Sequence, residues 1–437
     1  MDQDLHGRPD GFALTCMPQH CSLTLRRLDR GVALDIRGSD GEVRGGRAVS
    51  HPVRLHRAAV RAAVLVALLT PPGAQAAQSA RPGPDPAKAE IGLQGEFQDW
   101  IVGCDNTRTC RAIGLPAESA AEGTALILDR GGEPAARPVI RLVLPKPEAG
   151  ARPLDGTLQL AADGAPLPPL AIGSGLQVED PDAETWRARI RDAAAEGALL
   201  RALRTAKVLT VARAGEPPFA TLSLAGAAAA LLLVDERQQR IGTAGALVRP
   251  GDRPDAEVPA PPPLPRPPAA RPVTTLSAKT ALPAPVRRLY EADLKADQCS
   301  REGTGALERV VARLAPGLVL YALPCWQGAY QGSRAYYLHH TGSGRAEPLV
   351  LPRPQKRGRM EASPVVPRHI LGGDEVDPAR GEISEFAKGR GIADCGTAAS
   401  WLWTGRDFAL TAYSDLPVCR GLDHDDWLTL HRTVPPG

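Results

Sequence analysis

The chain has no apolar run long enough to cross a bilayer. The apolar stretches at 62–69 and 226–234 both fall well short of the ~20 residues that a spanning helix needs. Aromatic residues are scarce, at 4% of the chain, and several of the Trp and Tyr crowd into its last third. Charge of one sign is also missing. The formal net charge is +3 over 437 residues, and arginine is scattered rather than clustered, which excludes a nucleic-acid footprint. No two cysteines stand in a C-x-x-C pair, so the spacing for zinc is absent. Gly242-Thr243-Ala244-Gly245 is not followed by Lys-Ser/Thr and is not a phosphate loop. Neither G-x-S-x-G nor H-E-x-x-H occurs. Nothing nominates a nucleophile, a general base or a cofactor.

What the chain does have is 44 Gly and 43 Pro, which point to many turns, short strands and few long helices. Its organising stretch is 97–115. The apolar run Trp100-Ile101-Val102 leads into Cys104, five polar residues follow, and Cys110 opens a return strand through Ala112 and Ile113. This reads as two strands and a polar turn clipped by its two cysteines.

Residues 53–76 carry a secretory signal pattern. Arg54, Arg57 and Arg61 form a basic region, 62–69 is a short apolar region, and Ala74-Gln75-Ala76 fits a cleavage site. Such a leader normally opens a chain, so residues 1–52 read as a start-site artefact or a disordered extension. Removing the leader removes Cys16 and Cys21. Six cysteines remain, and an even number in an exported protein reads as disulfides. A proline-rich stretch divides them two and four. That favours Cys104–Cys110 and leaves three options for Cys299, Cys325, Cys395 and Cys419. Cys395 and Cys419 flank one hairpin, so sequential pairing is expected.

The expected plan is mainly β with α+β character. Residues 90–249 form a sandwich-like β domain, with strands at 124–128, 139–144, 154–160, 208–212 and 219–224. Helices are expected over 182–206, where Trp186, Ile190, Leu199, Leu200 and Leu203 have roughly helical spacing, and over 226–234. Residues 250–285 read as a semi-rigid polyproline spacer. Residues 286–437 form a disulfide-stapled antiparallel sheet with short helices. A helix covers 286–296, a helix or strand 307–314, and a strand 318–323. A hairpin joins 400–403 to 408–411, and a closing strand follows at 427–430.

Several motifs resemble those of the bacterial domain of unknown function 1176 family. They are Trp100-x-Val102-x-Cys104-Asp105-Asn106-Thr107-Arg108-Thr109-Cys110, Cys325-Trp326-x-Gly328-Ala329-Tyr330, Gly389-Arg390-Gly391-x-x-Asp394-Cys395-Gly396, Trp401-x-Trp403-x-Gly405-x-x-Phe408-x-Leu410 and Cys419-Arg420-Gly421. The resemblance spans about 90–433 and implies export, not a reaction. The first half is also distantly similar to the invasion-associated locus B family, through its early Trp and Cys pattern and Ser223-Leu224-x-Gly226.

Candidate binding residues are Asp105, Asn106, Arg108 and Arg111 in and beside the clipped turn, with Arg108 as an anion donor. The plainer reading is that Asp105 and Asn106 form Asx-turns. Trp326, Tyr330, Tyr336, Trp401 and Trp403 line a groove or, more often for such rings, a core. His339, His340 and the His424-Asp425-Asp426 run read as solvated groups rather than metal ligands. The expectation is a periplasmic or secreted, non-enzymatic envelope-binding protein with an unidentified envelope partner. An envelope hydrolase and a lysozyme-inhibitor-like module are the alternatives. N-terminal sequencing of the native protein should place the mature start just after Ala76; a start upstream of residue 60 would refute the leader.

Overall fold

The computed structural model describes residues 13–16, 21–28, 31–38, 92–115, 123–146, 153–180, 185–267, 269–358 and 368–434. The chain divides into two compact units, 1–80 and 81–437. In the first, Ala13–Cys16, Cys21–Leu28 and Gly31–Gly38 form an antiparallel three-stranded sheet. The expected leader at 53–76 lies outside the described residues, as does most of the rest of 1–52.

The second unit is built on an eight-stranded sheet. Its order is Leu176–Asp180, Thr185–Ile190, Val139–Pro145, Ala125–Arg130, Cys110–Gly114, Trp100–Cys104, Leu93–Phe97 and Gln355–Gly358. All neighbours are antiparallel except the last pair, where a strand from the second half of the chain joins in parallel. Side chains alternate across a strand, and here both faces are dry. Trp100, Val102, Ala112, Leu126, Leu128, Ile140 and Leu142 enter one core. Ile101, Ile113, Ala125, Ile127 and Val143 enter another. The continuous apolar run Trp100-Ile101-Val102 is therefore a strand covered twice.

The first core is closed by a small sheet containing Thr157–Ala162, Val208–Arg213 and Pro218–Ser223, and by two helices, α1 (Ala193–Ala202) and α2 (Ala227–Arg237). Asp192 starts α1 by accepting from the Ala195 amide at 2.8 Å. The second core is closed by the C-terminal half. One of its sheets runs Thr274–Leu276, Val310–Ala315, Leu318–Gln327, Gly332–His340 and Arg345–Pro348, with Ile370–Gly372 also on Gly332–His340. The other runs Asp374–Asp377, Glu382–Lys388, Gly396–Trp403, Phe408–Leu416 and Leu428–Arg432. Helix α3 (Ala284–Lys295) covers the far face of the former, over Val311, Val319, Tyr321 and Tyr337.

The mainly β plan with α+β character holds. Three details differ from expectation, and one open alternative is decided. Residues 185–190 are a strand, not the start of a helix, because Thr185-Trp-Arg-Ala-Arg-Ile also alternates with period two and finds a partner on each side. The 307–314 segment resolves as the strand Val310–Ala315. Within 250–285, Thr274–Leu276 does join a ladder, and it lies in the longest proline-free stretch there, 273–282. The halves on either side of 250–285 share one core, in which Ile113 and Ile127 pack among Trp401, Tyr336, Leu428 and Leu430.

This shared core generates a prediction. Residues 259–267 are largely exposed or half-exposed, and proteases should cut there first. No disulfide crosses the cut, yet the two fragments should co-elute in gel filtration and separate only in denaturant. Fragments that part under native conditions would show that the common core does not hold them.

Candidate functional site

The clipped turn is a docking station for the chain's own end. Cys104 and Cys110 face each other across adjacent antiparallel strands, with Cα atoms 4.0 Å apart, and are bonded. The Asp105 carboxylate is buried. It accepts from the Thr107 amide at 2.7 Å, the Thr109 amide at 3.0 Å and the Thr107 hydroxyl at 2.7 Å. Its other oxygen takes Arg432 Nε at 2.5 Å. Asn106 pairs with the Arg432 backbone in both directions, each bond 3.0 Å, much as a strand neighbour would. Arg111 binds Asp129 at 2.7 Å and donates to the Asp425 carbonyl at 2.9 Å. Arg108 is half-buried with φ +61°, and its carbonyl accepts from Gln238 Nε2 at 2.9 Å. Asp105 turns back on Thr107 as an Asx-turn, whereas Asn106 reaches across the sequence. Asp105, Asn106 and Arg111 are thus engaged within the chain.

The expected aromatic set divides. Tyr336, Trp401 and Trp403 are core residues, while Trp326 and Tyr330 stand 47% and 48% exposed. His340 pairs with Glu347 at 3.0 Å, and His339 packs edge-on to Tyr321.

A second corner gathers three of the motif segments. Cys395 and Cys419 are bonded, as are Cys299 and Cys325. Gly389 lies flat against the first of these bonds; a Cβ there would come within 2.4 Å of Cys395 Sγ. Its amide donates to the Cys395 carbonyl at 2.8 Å, and its carbonyl accepts from the Tyr330 hydroxyl at 3.2 Å. The Ala393 amide closes a turn on the Arg390 carbonyl at 3.0 Å, which leaves Ala393 at φ +59°. Asp394 braces that turn from below, taking Arg390 Nε at 2.9 Å and the Gly421 amide at 2.8 Å. Burial opposes ionisation of Asp394, but these hydrogen bonds and the Arg390 charge outweigh it and hold the carboxyl below the usual range. The Gln331 side chain grips Lys388 through both its backbone groups, each at 2.9 Å.

The outer surface of this corner is apolar. Ile392 is 73% exposed and Phe386 37%. Lys388 Nζ lies 6.0 Å from the Tyr330 ring centre and 5.9 Å from that of Phe386. Phe386 stacks on buried Trp427 at 5.7 Å, with His424 edge-on at 5.5 Å. Ligand atoms of Asp394, Cys395 and Cys419 lie within 4.8 Å of one another. The two sulfurs are bonded to each other, however, and offer no thiolate to a metal.

Deeper groups are committed to pairs. Arg353 binds Glu385 at 2.8 Å and lies over Trp401 and Tyr413, at 5.6 and 5.9 Å. Burial pushes the Glu385 carboxyl up against the pull of Arg353. Asp293 holds His369 at 2.9 Å and the Tyr337 hydroxyl. The exposed apolar corner had one sequence signal, the motif segments around Cys325, Cys395 and Cys419; their convergence is a tertiary fact.

Fold and corner define a disulfide-stapled, mostly β protein whose halves share a central sheet. The family described as "Protein of unknown function (DUF1176)" matches residues 94–434, and the chain belongs to it. It is also similar to the uncharacterized protein YpfG of Escherichia coli (strain K12), with 28% identity over 346 residues, covering 77% of this chain and 92% of that protein. No solved structure matches the chain.

The Asp394 brace is testable by pH. Its folded pKa lies below the ~3.9 of an unfolded aspartate, so its stabilisation is present above that value and lost as pH falls through the folded one. Asp394→Asn should melt lower than the parent protein at neutral pH, and the gap should close as pH falls below about 4. A gap that persists at the acid end would assign the loss to packing instead.

Proposed function

We propose that this chain is an exported, non-enzymatic protein of the bacterial envelope that binds an envelope component through the corner formed by Tyr330, Phe386, Lys388 and Ile392. The observation that carries the reading is the exposure of apolar side chains on a rigid, disulfide-braced turn. Exposed apolar groups held in one geometry bind at little ordering cost. Three disulfides suit an oxidising compartment, and the leader pattern at 53–76 suits export. The non-enzymatic reading rests on the commitment of buried ionisable groups to internal partners, Asp105 to Arg432 and Glu385 to Arg353.

The test is fractionation. Cells producing the full chain should release it by osmotic shock in oxidised form, and purified protein should co-sediment with whole-envelope preparations. Retention in the cytosol with free thiols, or no association with washed envelopes, would overturn the proposal.

A further inference from the structure

The geometry points to an anionic lipid surface as the component that this corner meets; the inference rests on the envelope-binding reading and narrows it. The first reason is what the corner offers. Ile392 is the most exposed large apolar side chain among the described residues, and it sits on the Arg390–Ala393 turn. The Tyr330 ring borders this turn at Gly391, Lys388 lies near both the Tyr330 and Phe386 rings, and Trp326 stands at the base of the Tyr330 hairpin. Aromatic rings and a cation around an inserted aliphatic tip suit the headgroup–acyl boundary of a membrane.

The second reason is what the corner withholds. The polar atoms around these tips are already used inside the chain. Tyr330 gives its hydroxyl hydrogen to Gly389, and Trp326 Nε1 donates to the Gln298 carbonyl at 2.8 Å. Both ends of the Gln331 amide are spent on the Lys388 backbone, and Arg390 is spent on Asp394. A sugar chain, recognised through directed hydrogen bonds, finds little here to hold. Hydrocarbon needs none.

The third reason is charge. Among the described residues, Lys388 makes no ion pair, so its ammonium is available to an anionic headgroup. On the neighbouring 423–426 turn, Asp423 and Asp426 share the single Arg187 guanidinium, at 2.5 and 2.7 Å. Asp423 and Asp425 are the exposed carboxylates there, the latter beside His424 at 3.7 Å.

The rigid brace matters for the same reason. The turn is held by the Cys395–Cys419 bond, by Asp394 and by Tyr330 before anything binds. Ile392 therefore enters the lipid without first ordering its loop.

The experiment is co-sedimentation of the full oxidised chain with vesicles of equal parts phosphatidylglycerol and phosphatidylethanolamine, with phosphatidylcholine vesicles as the comparison. The protein should partition onto the anionic vesicles and largely leave them at high salt. Ile392→Asp should weaken partitioning by about tenfold or more, since it replaces an inserted apolar side chain with a charge. Lys388→Glu should weaken it by about fivefold or more. Val350→Asp alters another exposed apolar residue, 63% exposed on a separate stretch, and should change nothing. All three positions are exposed or half-exposed, and an unchanged melting temperature shows that the variants fold. No partitioning onto anionic vesicles would overturn the inference, as would equal losses from Ile392→Asp and Val350→Asp. Binding to cell-wall sacculi without binding to vesicles would refute the lipid inference alone and leave the envelope-binding reading standing.

Discussion

The structure depends on a sheet with no wet face. Strand residues alternate between two cores, Trp100 and Val102 to one side, Ile101 and Ile113 to the other. Each core is then completed by material from a different half of the chain. Removing water from both faces of one sheet stabilises two layers at once, at ~25 cal/mol for each Å² of apolar surface covered. It also demands close fit. A Cβ on Gly103 would come within 2.6 Å of Leu430, so the central strand stays thin where the C-terminal strand crosses it.

The clipped turn serves that constraint. The last strand brings Arg432 to Asp105 and Asn106, more than three hundred residues earlier in the chain. The Asp105 carboxylate is buried with four donors around it, and without the Arg432 guanidinium it would be short of a partner. The polar residues of the turn are therefore an attachment for the C-terminal strand. The disulfide holds them in register for it.

The two clipped corners have opposite fates. At the first, Cys104–Cys110 presents polar groups and the chain's own end covers them. At the second, Cys395–Cys419 presents a turn whose polar groups are satisfied inward, with apolar groups left outward. Sequence reasoning weighted the first because Asp, Asn and Arg between two cysteines look like a contact loop. It assigned Trp326 and Tyr330 the same standing as Trp401 and Trp403. Trp326 and Trp401 have the same ring; only packing separates the one that is 47% exposed from the one that is fully covered.

By itself the sequence determined the mainly β character, through short apolar runs broken by Gly and Pro. It also determined α3 and the Trp401–Phe408 hairpin, because their periodicities are strong and local, and α2, through a short Ala/Leu run. The even cysteine count and the order of the cysteines pointed to sequential pairing, and the folded chain pairs them in that order. Tertiary structure alone decided that 185–190 is a strand, that the two halves share a core, and that Asn106 mimics a strand neighbour for Arg432. The physical reason is the same in each case. Periodicity records that a residue is buried, but not against which distant segment, and a sheet covered on both faces hides the alternation that would have separated its two sides.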